Sequence, residues 1–240
     1  MVINNILIGR DKECRLIDHL MDKNKNIIIF GKEGVGKSTI INEVLNKKKT
    51  KRIFYSQNSQ TLKESLINFI SSAYGENKNI REEDTLTLRK MFYKFLKDIK
   101  PEYLIFDHIK ALGPRFHSFT EYLIEKEVSL IILSEGLDNK HIGHLWESLF
   151  YFVKIEIANF DKAGAHHLIS HYIEKYGINI ACKENFQKEI FHFSQGHPGI
   201  IKELCLLSCN SKYYLNGFLD TKLMDLDRRI NDLFVSKNKI

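Results

Sequence analysis

The chain is poor in the features that mark secreted, fibrous or membrane proteins. Four cysteines in 240 residues are too few for a disulfide framework. Three prolines, 43% hydrophobic and 28% charged residues exclude a disordered or fibrous chain. No apolar run approaches the roughly 18–20 residues of a membrane span. The opening Met1-Val2-Ile3-Asn4-Asn5-Ile6 lacks a basic stretch followed by an apolar one, so a secretory leader is not expected. These absences leave a cytoplasmic globular protein with no membrane partner. Its length suits one large domain or two small ones with a substantial core.

The formal charge of +6 is unevenly placed. Residues 1–60 hold 12 Lys/Arg against 6 Asp/Glu, and residues 61–240 hold 24 against 24. Much of the excess is one run, Lys47-Lys48-Lys49-Thr50-Lys51-Arg52. A solvated loop after a helix accounts for such a run better than a phosphate-backbone contact does.

The strongest chemical signal is Ile27-Ile28-Ile29-Phe30-Gly31-Lys32-Glu33-Gly34-Val35-Gly36-Lys37-Ser38-Thr39. It satisfies G-x-x-x-x-G-K-[ST] at Gly31, Gly36, Lys37 and Ser38, with an apolar strand before it and an amphipathic helix after it. Glycines let backbone N–H groups curl around phosphate oxygens, and the helix N-terminus adds its dipole. Glu33, Gly34, Val35 and Thr39 complete the expected cradle. Lys37 is expected at the β- and γ-phosphates and Ser38 at Mg²⁺. Tyr103-Leu104-Ile105-Phe106-Asp107 is an apolar strand ending in a carboxylate, so Asp107 is the expected second Mg²⁺ group. His108 stands where a water-orienting Glu would serve hydrolysis, which favours binding over turnover. Glu135, after the next apolar strand, and Glu33 are the candidate substitutes.

Strand patterns fall at 27–30, 52–56, 103–107, 129–134 and 151–157, with helical periodicity between them. This predicts an α/β fold of the P-loop nucleotide-binding type: a five-stranded parallel sheet covered by helices on both faces. Residues from Gly75 to Asp84 read as an exposed loop. Strands stop near residue 158. Helices are predicted from Asp161 to Gly177, over 183–194, after Gly196-His197-Pro198-Gly199 and over 219–235. The predicted domains are therefore 1–158, the α/β core, and 159–240, a helical lid bundle with a C-terminal helix.

Taken together, these motifs resemble AAA+ ATPases of the origin-recognition type and STAND ATPases. Ile8-Gly9-Arg10-Asp11-Lys12-Glu13 looks like the box that opens those families, and Gly196-His197-Pro198 resembles their G-x-P lid motif. The likeness spans about residues 6–210. It implies that Ile8 and Arg10 lie by the adenine, Ser134 at the sensor-1 position, and His197 and Pro198 in place of sensor 2. Arg115, the only arginine between residues 90 and 227, is the default arginine finger. The pattern lacks the second acid after Asp107, and sensor 1 is less polar than usual.

The implied activity is ATP hydrolysis, slow for want of that acid. ATP with Mg would control lid closure and assembly into a homo-oligomer or with a separate partner protein. A nucleotide switch with little turnover is one alternative. A DNA-associated ATPase contacting DNA through residues 47–52 is another. The chain ends about 30 residues beyond residue 210, so no winged-helix tail is expected. His141 and His144, and His166, His167 and His171, have spacings that can bind Zn²⁺, but they read as surface or packing histidines. Cys205 and Cys209 read as core or interface thiols.

Overall fold

The computed structural model describes residues 7–48, 52–75, 78–215 and 218–237. The chain divides into two compact units. One holds residues 12–33 and 37–157; the other gathers the chain from Ala158 onward with residues up to Asp11 and Gly34–Gly36.

The first unit is built on five short strands: β1 (Ile27–Phe30), β2 (Ile53–Ser56), β3 (Tyr103–Phe106), β4 (Ser129–Ser134) and β5 (Val153–Glu156). All pair in parallel, in the order β2-β3-β4-β1-β5. Parallel neighbours need crossovers, which helices supply. These are α1 (Asp11–Asp22) before β1, α2 (Lys37–Lys47) after it, α3 (Leu62–Tyr74) and α4 (Thr85–Ile99) before β3, and α5 (Pro114–Glu125) before β4. A one-turn helix, α6 (Asn139–Ile142), and a 3₁₀ stretch over Gly143–Tyr151 lead to β5. The expected five-stranded parallel sheet is therefore the one the chain forms.

Alternation along the strands divides the core between two faces. Ile28, Leu104, Phe106, Leu130 and Ile132 pack with Leu66, Phe69, Leu88, Phe92, Phe95, Phe116 and Phe119 from α3, α4 and α5. Phe92 is central, with ring centroids 6.0, 5.2 and 5.2 Å from those of Phe69, Phe95 and Phe119. The intervening strand residues Ile27, Ile29, Ile105, Ile131 and Leu133 are also buried, as are Ile17 and Met21 of α1 and Ile40, Ile41 and Val44 of α2. On that face the Tyr103 hydroxyl donates to the Lys25 carbonyl at 3.0 Å. Burial pushes its pKa up to about 12.

In the second unit, Asp161 caps α7 (Lys162–Tyr176) by accepting the Gly164 N–H at 2.8 Å, and Gly177 ends the helix. Helices α8 (Lys183–Ser194), α9 (Pro198–Leu207) and α10 (Thr221–Lys237) complete the bundle. Its core is formed by Ala165, Ile169, Ile190, Ile201, Leu204, Cys205 and Met224, among others. The Cys205 thiol is buried there, which pushes its pKa up to about 12.

Three local features depart from the sequence reading. Strands do not stop at 158: β6 (Tyr214–Leu215) and β7 (Phe218–Leu219) pair antiparallel between α9 and α10. Each is two residues long, too short to show alternation. The loop after Gly75 contains a 3₁₀ turn over Lys78–Arg81 with Ile80 buried. The turns between Asn139 and Tyr151 also lack a periodic signal.

Replacing Phe92 with Ala should destabilise the first unit by about 3–5 kcal/mol, the usual cost of emptying a buried aromatic site. Denaturant unfolding of wild type and variant measures this, and a change below about 1 kcal/mol would contradict the packing described.

Candidate functional site

The glycine-rich motif leaves β1 at Gly31 and re-enters regular structure at Lys37, the first residue of α2. The Lys37 ammonium folds back along its own loop, donating to the Gly31 carbonyl at 2.6 Å and to the Lys32 carbonyl at 3.0 Å. Burial lowers its pKa, opposed by the nearby carboxylates of Asp107, Glu135 and Glu33. The field at Lys37 thus links it to all three candidate acids.

Next in the chain, Ser38 donates to Asp107 Oδ2 at 2.6 Å. Asp107 is only 3% exposed. Its Oδ2 also accepts the Tyr55 hydroxyl, and its Oδ1 accepts the backbone N–H of His108 at 2.7 Å. The end of β2 is tied to the same residue through its backbone. Asp107 N–H donates to the Ser56 carbonyl at 3.0 Å, and Ser59 N–H donates to the Asp107 carbonyl at 2.9 Å.

His108 has a left-handed backbone, with φ of 53°. Its exposed ring turns to the loop after β2, where Nδ1 lies 2.9 Å from the Gln57 carbonyl. A carbonyl only accepts, so Nδ1 carries the proton. Tyr55 and Gln57 were not singled out in the sequence. The available signal was strand register, which sets Tyr55 beside Ile105 and so on the face that Asp107 shares.

At the end of β4, Ser134 is buried and donates to the Gly136 carbonyl at 2.8 Å, while Glu135 is exposed. Thr39 is partly buried in α2. Arg115 is exposed in the first turn of α5. Among the described residues, no hydrogen bond or ion pair joins it to Ser38 and Asp107.

Other expected residues lie in the second unit. Ile8 packs against the helical core. Arg10, 6% exposed, donates to the Ala158 carbonyl at 2.6 Å and sets its guanidinium 4.0 Å from the Phe160 ring centroid. That stacking suits a weakly hydrated cation. Val35 is buried. His197 caps α9, with Nδ1 accepting the Ile200 N–H at 3.3 Å, and Pro198 takes the first helical position. The His197 ring comes so close to Gly34 (φ 78°) that a Cβ there would lie 2.8 Å from Cε1.

The basic run is largely neutralised where it is described. Lys47 pairs with Glu43 at 3.0 Å, Lys48 with Asp18 and Asp22 at 2.8 and 2.5 Å, and Arg52 with Glu102. Lys49, Thr50 and Lys51 lie outside the described residues. Of the histidine pairs, His141 bonds Asp138 at 2.5 Å and His144 bonds Glu147 at 3.2 Å.

A hydroxyl and a carboxylate held together beside a lysine and a glycine-rich turn define a P-loop site. Residues 20–135 match a family model described as an AAA domain. No curated protein sequence matches the chain. Among solved structures, the chain is similar to the Walker-type ATPase PABY2304 of Pyrococcus abyssi, at 12% identity and TM-score 0.65 over 97% of this chain and 75% of that one. It is also similar to AMPPCP-bound DnaA from Aquifex aeolicus, at 16% identity and TM-score 0.60 over 94% and 68%. A replication initiator DnaA bound to AMPPCP and single-stranded DNA aligns at 17% identity and TM-score 0.59 over 93% and 66%. Residues 20–135 are thus similar to an AAA domain, and the fold is like that of P-loop ATPases. No helix among the described residues is long and apolar enough to cross a membrane.

Gly196, just before His197, has φ of 74° and would push a Cβ into the Phe160 carbonyl. Gly196→Ala should therefore lower stability by more than about 2 kcal/mol, since strain and collision add. Unfolding followed by a probe in the helical unit checks this, and a neutral result would contradict the close approach.

Proposed function

We propose that the chain binds Mg-ATP and works as a slow AAA+/STAND-like ATPase. Its nucleotide state would govern closure of the helical lid and assembly with further copies or a separate partner protein. The observation that carries this reading is the 2.6 Å bond between Ser38 and Asp107, with Lys37 directly before Ser38.

The donor set suits the ligand. Hydroxyl and carboxylate oxygens are the hard donors Mg²⁺ takes, usually with several of its waters retained. Bound Mg²⁺ would neutralise charge on the phosphate oxygens. Gly31, Glu33, Gly34, Val35, Gly36 and Thr39 would form the phosphate cradle, and Lys37 would give up its loop carbonyls for the β- and γ-phosphates. Ile8 and Arg10 would serve the adenine side, Arg10 by holding Ala158 and Phe160 in place. Ser134, His197 and Pro198 would report the γ-phosphate. Glu135 and Glu33, both near enough to act on Lys37, are the candidate acids for orienting water. Arg115, exposed on α5, is the group that assembly could bring to a neighbouring copy.

Slow turnover is supported by His108. Its Nδ1–H is engaged by the Gln57 carbonyl, which turns the ring to the loop after β2, and no carboxylate stands at the position after Asp107. DNA contact through residues 47–52 is the second reading, favoured only by the likeness to a DnaA bound to single-stranded DNA. The ion pairs of Lys47, Lys48 and Arg52 weigh against it.

Lys37→Ala should abolish Mg-ATP binding in a calorimetric titration, and unchanged affinity would overturn the P-loop assignment. His108→Glu should raise phosphate release about tenfold, equivalent to roughly 1.4 kcal/mol of barrier. Brisk release from the wild type alone would contradict slow turnover. If DNA binds through the run, a gel shift should weaken steeply with salt and with loss of Lys47–Lys49. Insensitivity to both would remove that reading.

A further inference from the structure

None of the roles above uses Tyr55, yet its phenol lies against the acid on which the site depends. The register pairs Tyr55 with Ile105 and Ser56 with Phe106. Tyr55 and Asp107 therefore project from the same face, two residues apart along parallel strands, a rise of about 6.6 Å. A phenol spans that distance and ends in a neutral donor. Serine or threonine would fall short, and phenylalanine would arrive without a proton to give.

The phenol donates to Oδ2, the oxygen that also accepts from Ser38. With His108 N–H on Oδ1, the carboxylate is held at both oxygens by donors from three places: the start of α2, the end of β2 and its own chain. The terminal torsion of an aspartate is otherwise a broad, two-fold rotor. A phenol titrates at about 10 in its ordinary state, so it is a donor at neutral pH.

We propose that Tyr55 is a positioning residue for the cation that accompanies the nucleotide: it fixes the Asp107 carboxylate so that its remaining lone pair, on Oδ1, can serve the water shell of Mg²⁺. This rests on the Mg-nucleotide reading given above. Partners one layer behind a metal-binding carboxylate set its orientation and thereby tune metal affinity. Fixing the carboxylate in the folded chain removes that ordering cost from the binding step.

The experiment titrates Mg²⁺ against a fixed concentration of a fluorescent, non-hydrolysable ATP analogue and compares wild type with Tyr55→Phe. The Mg²⁺ midpoint should rise about tenfold in Tyr55→Phe, the scale of one lost hydrogen bond to a charged group. Analogue affinity in EDTA should stay within about twofold, and the thermal midpoint within a few degrees of wild type. Combined with Asp107→Asn, the Tyr55→Phe change should add no further shift, since it acts through that carboxylate. Equal Mg²⁺ midpoints, an equal loss of affinity with and without Mg²⁺, or an additive shift in the double variant would each overturn the role of Tyr55. Lys37→Ala in the same assay tests the underlying reading separately. Loss of analogue binding there upholds the nucleotide site whatever Tyr55 does, while retained binding overturns the site and the Tyr55 role together.

Discussion

A charged carboxylate almost wholly removed from water is costly unless its lone pairs are met. Asp107 is in that position, and much of the surrounding architecture answers the demand. Ser38 reaches it because α2 begins directly after the glycine turn. Tyr55 reaches it because β2 pairs with β3 in one particular register. A one-residue slip would turn Tyr55 to the opposite face and leave Oδ2 with Ser38 alone. The acid thus fixes how the first β–α turn and the sheet edge must lie relative to each other.

The elements carrying this site were largely legible in the sequence. Apolar runs of four to six residues ending at Phe30, Phe106 and Ser134 became β1, β3 and β4 with little change. Helical periodicity in 62–73 and 88–99 became α3 and α4. Such runs survive because a parallel strand covered on both faces needs no polar alternation. The motif spacing around Lys37 was legible for a different reason: the chemistry it serves leaves little freedom in residue type.

What escaped was contact between distant parts of the chain. Tyr55 reads locally as any aromatic strand residue, and its meaning appears only beside Asp107, 52 positions later. The ring of His108 likewise finds Gln57 only once the two loops are side by side. Lys48 reads as part of a basic run until α1 brings Asp18 and Asp22 to it. The excess positive charge of the first quarter is therefore partly spent inside the fold, and less of it faces outward than a count of residues suggests. The short hairpin β6–β7 is missed on length alone. Fold likeness at 12–17% identity joins an archaeal ATPase and DnaA to this chain without choosing between their tasks, so function turns on single residues such as His108.

β2 stands at one end of the sheet, paired through its backbone on one side only. An outermost strand opens with less cooperation than one bonded on both sides, and such local opening is among the cheapest excursions a folded domain makes. Tyr55 travels with that strand. Fraying of the sheet margin therefore takes one of its three donors from the buried acid, so amide exchange along β2 bears on how firmly the carboxylate is held.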